Sequence, residues 1–126
     1  MKLNLVLASI CVALISSPLC AQTLSLNKGF EEAVRLEAEG EKRQAFNIWT
    51  NLAAENPGNG NLQYRAGIAH LESFNEKKGA LPFLRVAEDI GINEKYDPIS
   101  VQEDKSPMTL YYYLGKAYHL NNNHLL

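Results

Sequence analysis

Cysteine is nearly absent from this chain: the only two, Cys11 and Cys20, lie in the first 21 residues. If that segment is removed on export, the remaining chain has to fold without disulfides. No uncharged apolar run reaches the ~20 residues a membrane-spanning helix needs; the one candidate, Leu3 to Ile15, is too short. Strong charge of either sign is missing too. The formal net charge is -2, and losing Lys2 makes it -3, which excludes a basic nucleic-acid surface and an acidic tail. There are three histidines, His70, His119 and His124, and with no cysteine beyond residue 20 they complete no metal-ligand set. No glycine-rich phosphate loop follows an expected strand, and no nucleophile elbow occurs. Gly58-Asn59-Gly60 reads as a turn. The sequence therefore offers no catalytic set, no metal and no cofactor, and the expectation is that this chain is not an enzyme.

What is present begins with an export leader. Lys2 precedes the apolar run, and Ser16, Ser17, Pro18, Leu19, Cys20 and Ala21 follow it, the pattern of a secretory signal peptide over residues 1–21 cleaved between Ala21 and Gln22. Pro18 and Leu19 are poor substitutes for the small residues that a bacterial lipobox places before its cysteine, so simple cleavage is preferred to lipidation at Cys20. The 105 residues left suffice for one small domain.

Helical periodicity dominates that domain. The first helix is expected from Asn27, as N-cap, to Gly40, with Phe30, Ala33, Val34 and Ala38 inward. A second, from Glu41 or Lys42 to Glu55, places Ala45, Ile48, Trp49, Leu52 and Ala53 on one face and ends at the Asn56-Pro57-Gly58 turn. A second hairpin follows, Leu62 to Phe74 and Lys78 to Ile90, with Ala66, Gly67, Ala80, Leu84 and Ala87 inward. Pro82 is tolerable only near the start of its helix, because it lacks an N–H. Residues 93–106 are polar with scattered apolar anchors, Tyr96, Ile99 and Val101, and read as an ordered loop. Ser106-Pro107 then restarts a helix, over 107–121, as N-cap and first position.

In that last helix Tyr111, Leu114, Gly115 and Tyr118 supply an aromatic, an aliphatic, a small residue and an aromatic at fixed spacing. The pattern resembles helix A of a tetratricopeptide repeat, and earlier segments carry it with a period of 34 residues from Ala33 to Gly67. By the same resemblance Leu36, Ala45, Trp49, Pro57 and Ala80 take structural repeat positions, although Gly29 stands where the opening aromatic belongs. The resemblance implies an all-α fold of stacked helical hairpins in a short right-handed solenoid: repeat one at 27–59, repeat two at 60–92, an inserted loop at 93–106, and a third repeat truncated after its first helix. A signal peptide followed by such repeats is similar to the N-terminal region of Bacteroidetes-type envelope proteins of the OmpA family.

Two functions follow from the resemblance. One is a protein-interaction scaffold, exported across the inner membrane to the periplasm and associated with the outer membrane. The other is the accessory segment of a peptidoglycan-anchoring protein whose wall-binding domain lies in sequence not present here. For a docking role the groove lined by the first helix of each hairpin is the expected surface. The candidate peptide-binding residues there are Asn27, Glu31, Arg35, Gln63, Arg65, Tyr112 and Lys116. The expected partner is a protein or peptide of the envelope, with no nucleic acid and no membrane span in the mature chain.

Overall fold

A computed structural model describes residues 17–122 as five α-helices and one short 3-10 turn. They are α1 (Ser17–Glu39), α2 (Lys42–Glu55), α3 (Gly60–Glu72), the 3-10 turn (Lys77–Gly79), α4 (Ala80–Ile90) and α5 (Leu110–Asn122). Among the described residues there is no strand, only an isolated parallel bridge between Ile92 and Ser106. The all-α expectation holds. Each helix packs on its neighbour in the chain, and α5 also touches α3. Cleavage of the leader bears on residues mostly outside this description, since residues 1–16 lie beyond it.

Local chemistry accounts for the boundaries. Gly40 takes φ 82°, and the Glu41 N–H reaches back to the Leu36 carbonyl at 2.9 Å, closing α1 with a left-handed glycine. The Asn59 side chain caps α3 by accepting from Leu62 N–H at 3.0 Å. Pro82 falls in the first turn of α4, where its missing N–H has no intrahelical partner to lose. The 3-10 turn ahead of it absorbs the change of direction.

Two apolar clusters divide the interior, and α3 joins them. Phe30, Ala33, Leu36, Ala45, Trp49, Leu52, Leu62 and Ala66 form the first, between α1, α2 and α3. Tyr64, Ala80, Leu84, Ala87, Leu110, Leu114 and Ala117 form the second, between α3, α4 and α5. Burying each large aliphatic or aromatic side chain contributes about 1.5–3 kcal/mol, so these clusters are the main source of stability. The tightest approach is at Gly67, where a Cβ would meet the Leu84 side chain, its Cγ at 2.6 Å. Only glycine lets α3 and α4 come this close.

Several expectations need correction. The first helix does not begin at Asn27: α1 runs through it from Ser17, with Pro18 in the first turn, where proline is tolerated, and nothing from 19 to 39 to interrupt it. Ala38 is exposed, because the inward stripe continues through Leu36. The last helix starts at Leu110 and not at Pro107. Ser106 is fully buried and donates its hydroxyl to the Gly60 carbonyl at 3.3 Å, so it serves the packing of the loop in place of capping a helix. Ile99 is 73% exposed and pins nothing, whereas Tyr96 and Val101 do pack inward. On α5 the buried stripe is Leu110, Leu114 and Ala117. Tyr111 and Tyr118 are exposed, and a Cβ at Gly115 would meet nothing within 4 Å. The packing role expected of those three residues is therefore not seen among the described residues. Leucine and alanine bury completely, while a phenol keeps its hydroxyl in reach of water.

Candidate functional site

The connection between α4 and α5, residues 91–109, folds back over α3 and creates the most elaborated polar surface of the protein. Its two ends are tied down by backbone. Gly60 N–H donates to the Asp104 carbonyl at 2.7 Å, Asn93 N–H to the Ser106 carbonyl at 2.8 Å, and Ser106 N–H to the Gly91 carbonyl at 3.2 Å. Gly60 is required there, since a Cβ would stand 2.9 Å from the Asp104 carbonyl oxygen. Glu103 organises the middle of the connection. Its carboxylate accepts from the Asn93 amide at 2.9 and 3.1 Å, from Asp97 N–H at 3.1 Å and from Lys105 N–H at 3.3 Å. Burial acts to raise its pKa, but these hydrogen bonds and the Lys105 charge outweigh it and hold the carboxyl below the usual value.

This fold places Tyr96 and Pro98 against two residues one turn apart on α3, Asn61 and Arg65. Tyr96 donates its phenol to the Asn61 side-chain oxygen at 2.5 Å. Arg65 donates to the Pro98 carbonyl and to Glu37 on α1 at 3.1 Å. Its guanidinium also lies over the Trp49 ring, 5.1 Å from the centroid, and the Trp49 indole N–H donates to Glu37 at 2.7 Å. Glu37 thus receives both and fixes the arginine between α1 and the connection. Burial pushes the Tyr96 phenol up, against the pull of the Arg65 charge, so it stays a donor across the neutral range.

From this point aromatic rings step across to α5. Tyr96 meets Tyr64 edge-on at 6.2 Å, Tyr64 meets Tyr113 at 6.0 Å, and Tyr113 meets Tyr112 at 5.2 Å. Tyr64 is fixed by a 2.8 Å hydrogen bond with the Thr109 hydroxyl, and burial raises its pKa. Lys116 closes the row, its ammonium 4.9 Å from the centre of the Tyr112 ring. Tyr112 is 62% exposed, so the row runs from a largely covered arginine to an open aromatic and cation.

The seven sequence candidates divide accordingly. Arg65, Tyr112 and Lys116 belong to this row. Asn27 and Glu31 are exposed on α1. Arg35 is held on its own helix by Glu32 at 3.0 Å and Glu39 at 2.7 Å; its hydrogen bond lowers the Glu32 pKa, and the two carboxylates raise that of the arginine. Gln63 does not project outward as expected: it is buried and donates to the Ala53 and Asn56 carbonyls at 2.8 and 3.2 Å. The end of α2 leaves carbonyls without a full helical partner, and Gln63 shares them with the Asn56 and Asn59 N–H groups of the turn.

Sequence reasoning missed Asn61, Glu37, Tyr64 and Tyr113, and took Tyr96 only for an anchor. Asn61 stands four residues before Arg65, a spacing that puts both on one helical face. Nothing in the sequence tied Glu37 to Trp49. His70 is buried between the Phe46 and Phe83 rings, at 4.6 and 4.8 Å, and bonds the Ala66 carbonyl, as a packing residue does. A separate cleft of about 470 Å³ opens beside Trp49 between α2 and the end of α3, with Phe74 at its rim. Among the described residues no group of three or more histidines, cysteines or carboxylates could hold a metal. No helix there is long and apolar enough to cross a membrane. Comparisons with protein families, curated proteins and solved structures return no match for this chain.

Proposed function

We propose that this chain is a docking module built from tetratricopeptide-like hairpins, and that it acts in the cell envelope by binding a protein or peptide. The observation that carries the reading is the aromatic row from Tyr96 to Tyr112, ending in the exposed Tyr112–Lys116 pair. Tyrosine is enriched in binding hot spots, where truncation costs about 2 kcal/mol or more. The serial packing of helices and the glycine-mediated contact of Gly67 with Leu84 support the hairpin reading, with Gly67 one 34-residue period after Ala33. Export to the envelope rests on the leader sequence at residues 1–21.

A pull-down from envelope extract tests this, comparing wild type with a Tyr112→Ala, Lys116→Ala double variant of unchanged melting temperature. Both residues are exposed and neither lies in the buried clusters, so folding should be unaffected. Loss of a specific partner from the variant alone is the expected outcome. Equal recovery of every partner by both proteins would remove α5 from the binding surface.

A further inference from the structure

The turn after α3 holds an aromatic ring out in solvent. Phe74 is 94% exposed, more than any other large apolar side chain among the described residues. The turn that carries it is braced: the Ser73 N–H and hydroxyl both donate to the His70 carbonyl, at 3.2 and 2.8 Å, and the Glu76 N–H donates to the Ser73 hydroxyl oxygen at 2.9 Å. Beside this turn opens the cleft of about 470 Å³, lined in part by Ala45 and Phe46 of α2 and Ala69 of α3. That volume lies within the range of roughly 300–1,000 Å³ over which protein pockets take up a ligand group. Phe74 belongs to the rim of the cleft and yet remains in water. The rim also carries charge of both signs in balance, Lys42 and Arg43 on α2 against Glu72 and Glu76 at the end of α3 and beyond it, with Lys42 and Glu72 facing each other at 3.8 Å. A projecting ring, a recess for a ring and matched opposite charges thus occupy one patch. Such a patch is complementary to itself, which is what a two-fold interface requires, because every contact made from one copy to the other is made again in return.

We propose that this face pairs two copies of the chain about a two-fold axis, with Phe74 of each copy seated in the cleft of the other and Glu76 of each beside Arg43 of the other. An aromatic anchor that fills a pocket dominates the energy of an interface. A ring already held outward by the Ser73 turn gives up little freedom on seating, which favours association further. The charges set the register, since a two-fold arrangement brings the acidic turn of one copy to the basic start of α2 in the other. The pairing uses neither Tyr112 nor Lys116, so it stands or falls independently of the docking role of α5.

Analytical ultracentrifugation of the purified chain over a concentration series tests this. Wild type is expected to pass from monomer to dimer as concentration rises, and Phe74→Ser to weaken the dimer by at least about tenfold, the effect of losing an anchor. Charge reversal identifies the occupant of the cleft. Arg43→Glu and Glu76→Arg each set like charges against each other in a dimer of identical copies, and each should weaken it. An equimolar mixture of the two variants places opposite charges at both contacts and should dimerise as wild type does. Phe74, Arg43 and Glu76 are all exposed, so the variants should keep the fold, which circular dichroism checks. Wild type that is still monomeric at about 1 mM overturns the proposal. So does a dimer that Phe74→Ser leaves unchanged, which places the interface elsewhere, or a mixture that associates no better than its two components, which denies the two-fold exchange.

Discussion

Replacing Trp49 by alanine tests the packing of the first three helices together with the arginine that faces the site. The ring is 0% exposed and meets Phe30 edge-on at 5.3 Å, with the Arg65 guanidinium over its face at 5.1 Å. Removing a buried tryptophan side chain costs about 3–5 kcal/mol, the spread set by how far the cavity collapses. Within that total the edge-on pair accounts for about 0.5–1.5 kcal/mol and the cation over the ring for about 0.5–1 kcal/mol at its partial exposure. Loss of the indole hydrogen bond adds little, because the Glu37 side chain is 37% exposed and water can replace the donor. A domain of this size is stable by about 5–15 kcal/mol, so the variant should lose a large share of its margin. Urea denaturation followed by circular dichroism measures the loss directly. Trp49→Phe separates the terms: it keeps an aromatic partner for Phe30 and should lose only about 1–2 kcal/mol, mainly for the part of the volume left empty. Trp49 is the single tryptophan, so its emission in wild type should be blue-shifted and move to the red on unfolding. A loss under about 1 kcal/mol for Trp49→Ala would refute the burial and with it the hairpin of α1 and α2.

Two glycines should respond in opposite directions. Gly67→Ala drives a methyl into Leu84 and should destabilise by about 1–3 kcal/mol, whereas Gly115→Ala meets open space and should stabilise α5 by up to about 1 kcal/mol; thermal melts of the pair that change alike would contradict the packing of α3 on α4. The Glu103 carboxyl is held below its ordinary pKa in the folded chain, so its contribution is fully present above the unfolded value near 4.3 and is lost as pH falls through the lower folded value. Protection from hydrogen exchange at Asp97 and Lys105, taken relative to the unstructured rate at each pH, should fall over that acidic window in wild type, and Glu103→Gln should show lower protection already at neutral pH; protection that stays flat to acid would show that the carboxylate does not order the connection.

The helical content, the positions of the turns and the inward faces of α2 and α4 were legible in the sequence, and of α3 only the stripe at Ala66 and Gly67. The signals behind them are local: an apolar residue every third or fourth position, Asn59 as a cap, Gly40 where the chain leaves a helix. Burial of Trp49 was legible for the same reason, as part of a stripe with Ala45 and Leu52. The pattern at Tyr111, Leu114, Gly115 and Tyr118 was equally clear, yet α5 is rotated so that Leu110, Leu114 and Ala117 face inward. Periodicity identifies a helix and its candidate faces, but which of two adjacent stripes is buried depends on what α3 and α4 present to it. The polar row was less accessible still. Asn61, Arg65 and Glu37 are separated from Tyr96 and Pro98 by dozens of residues, and their hydrogen bonds exist only because the connection is pinned to Gly60 and laid across α3. Side chains of such residues look like ordinary surface polarity in one dimension. Their pairing is decided by tertiary packing, because a hydrogen bond depends on distance and angle in space and leaves no period along the chain.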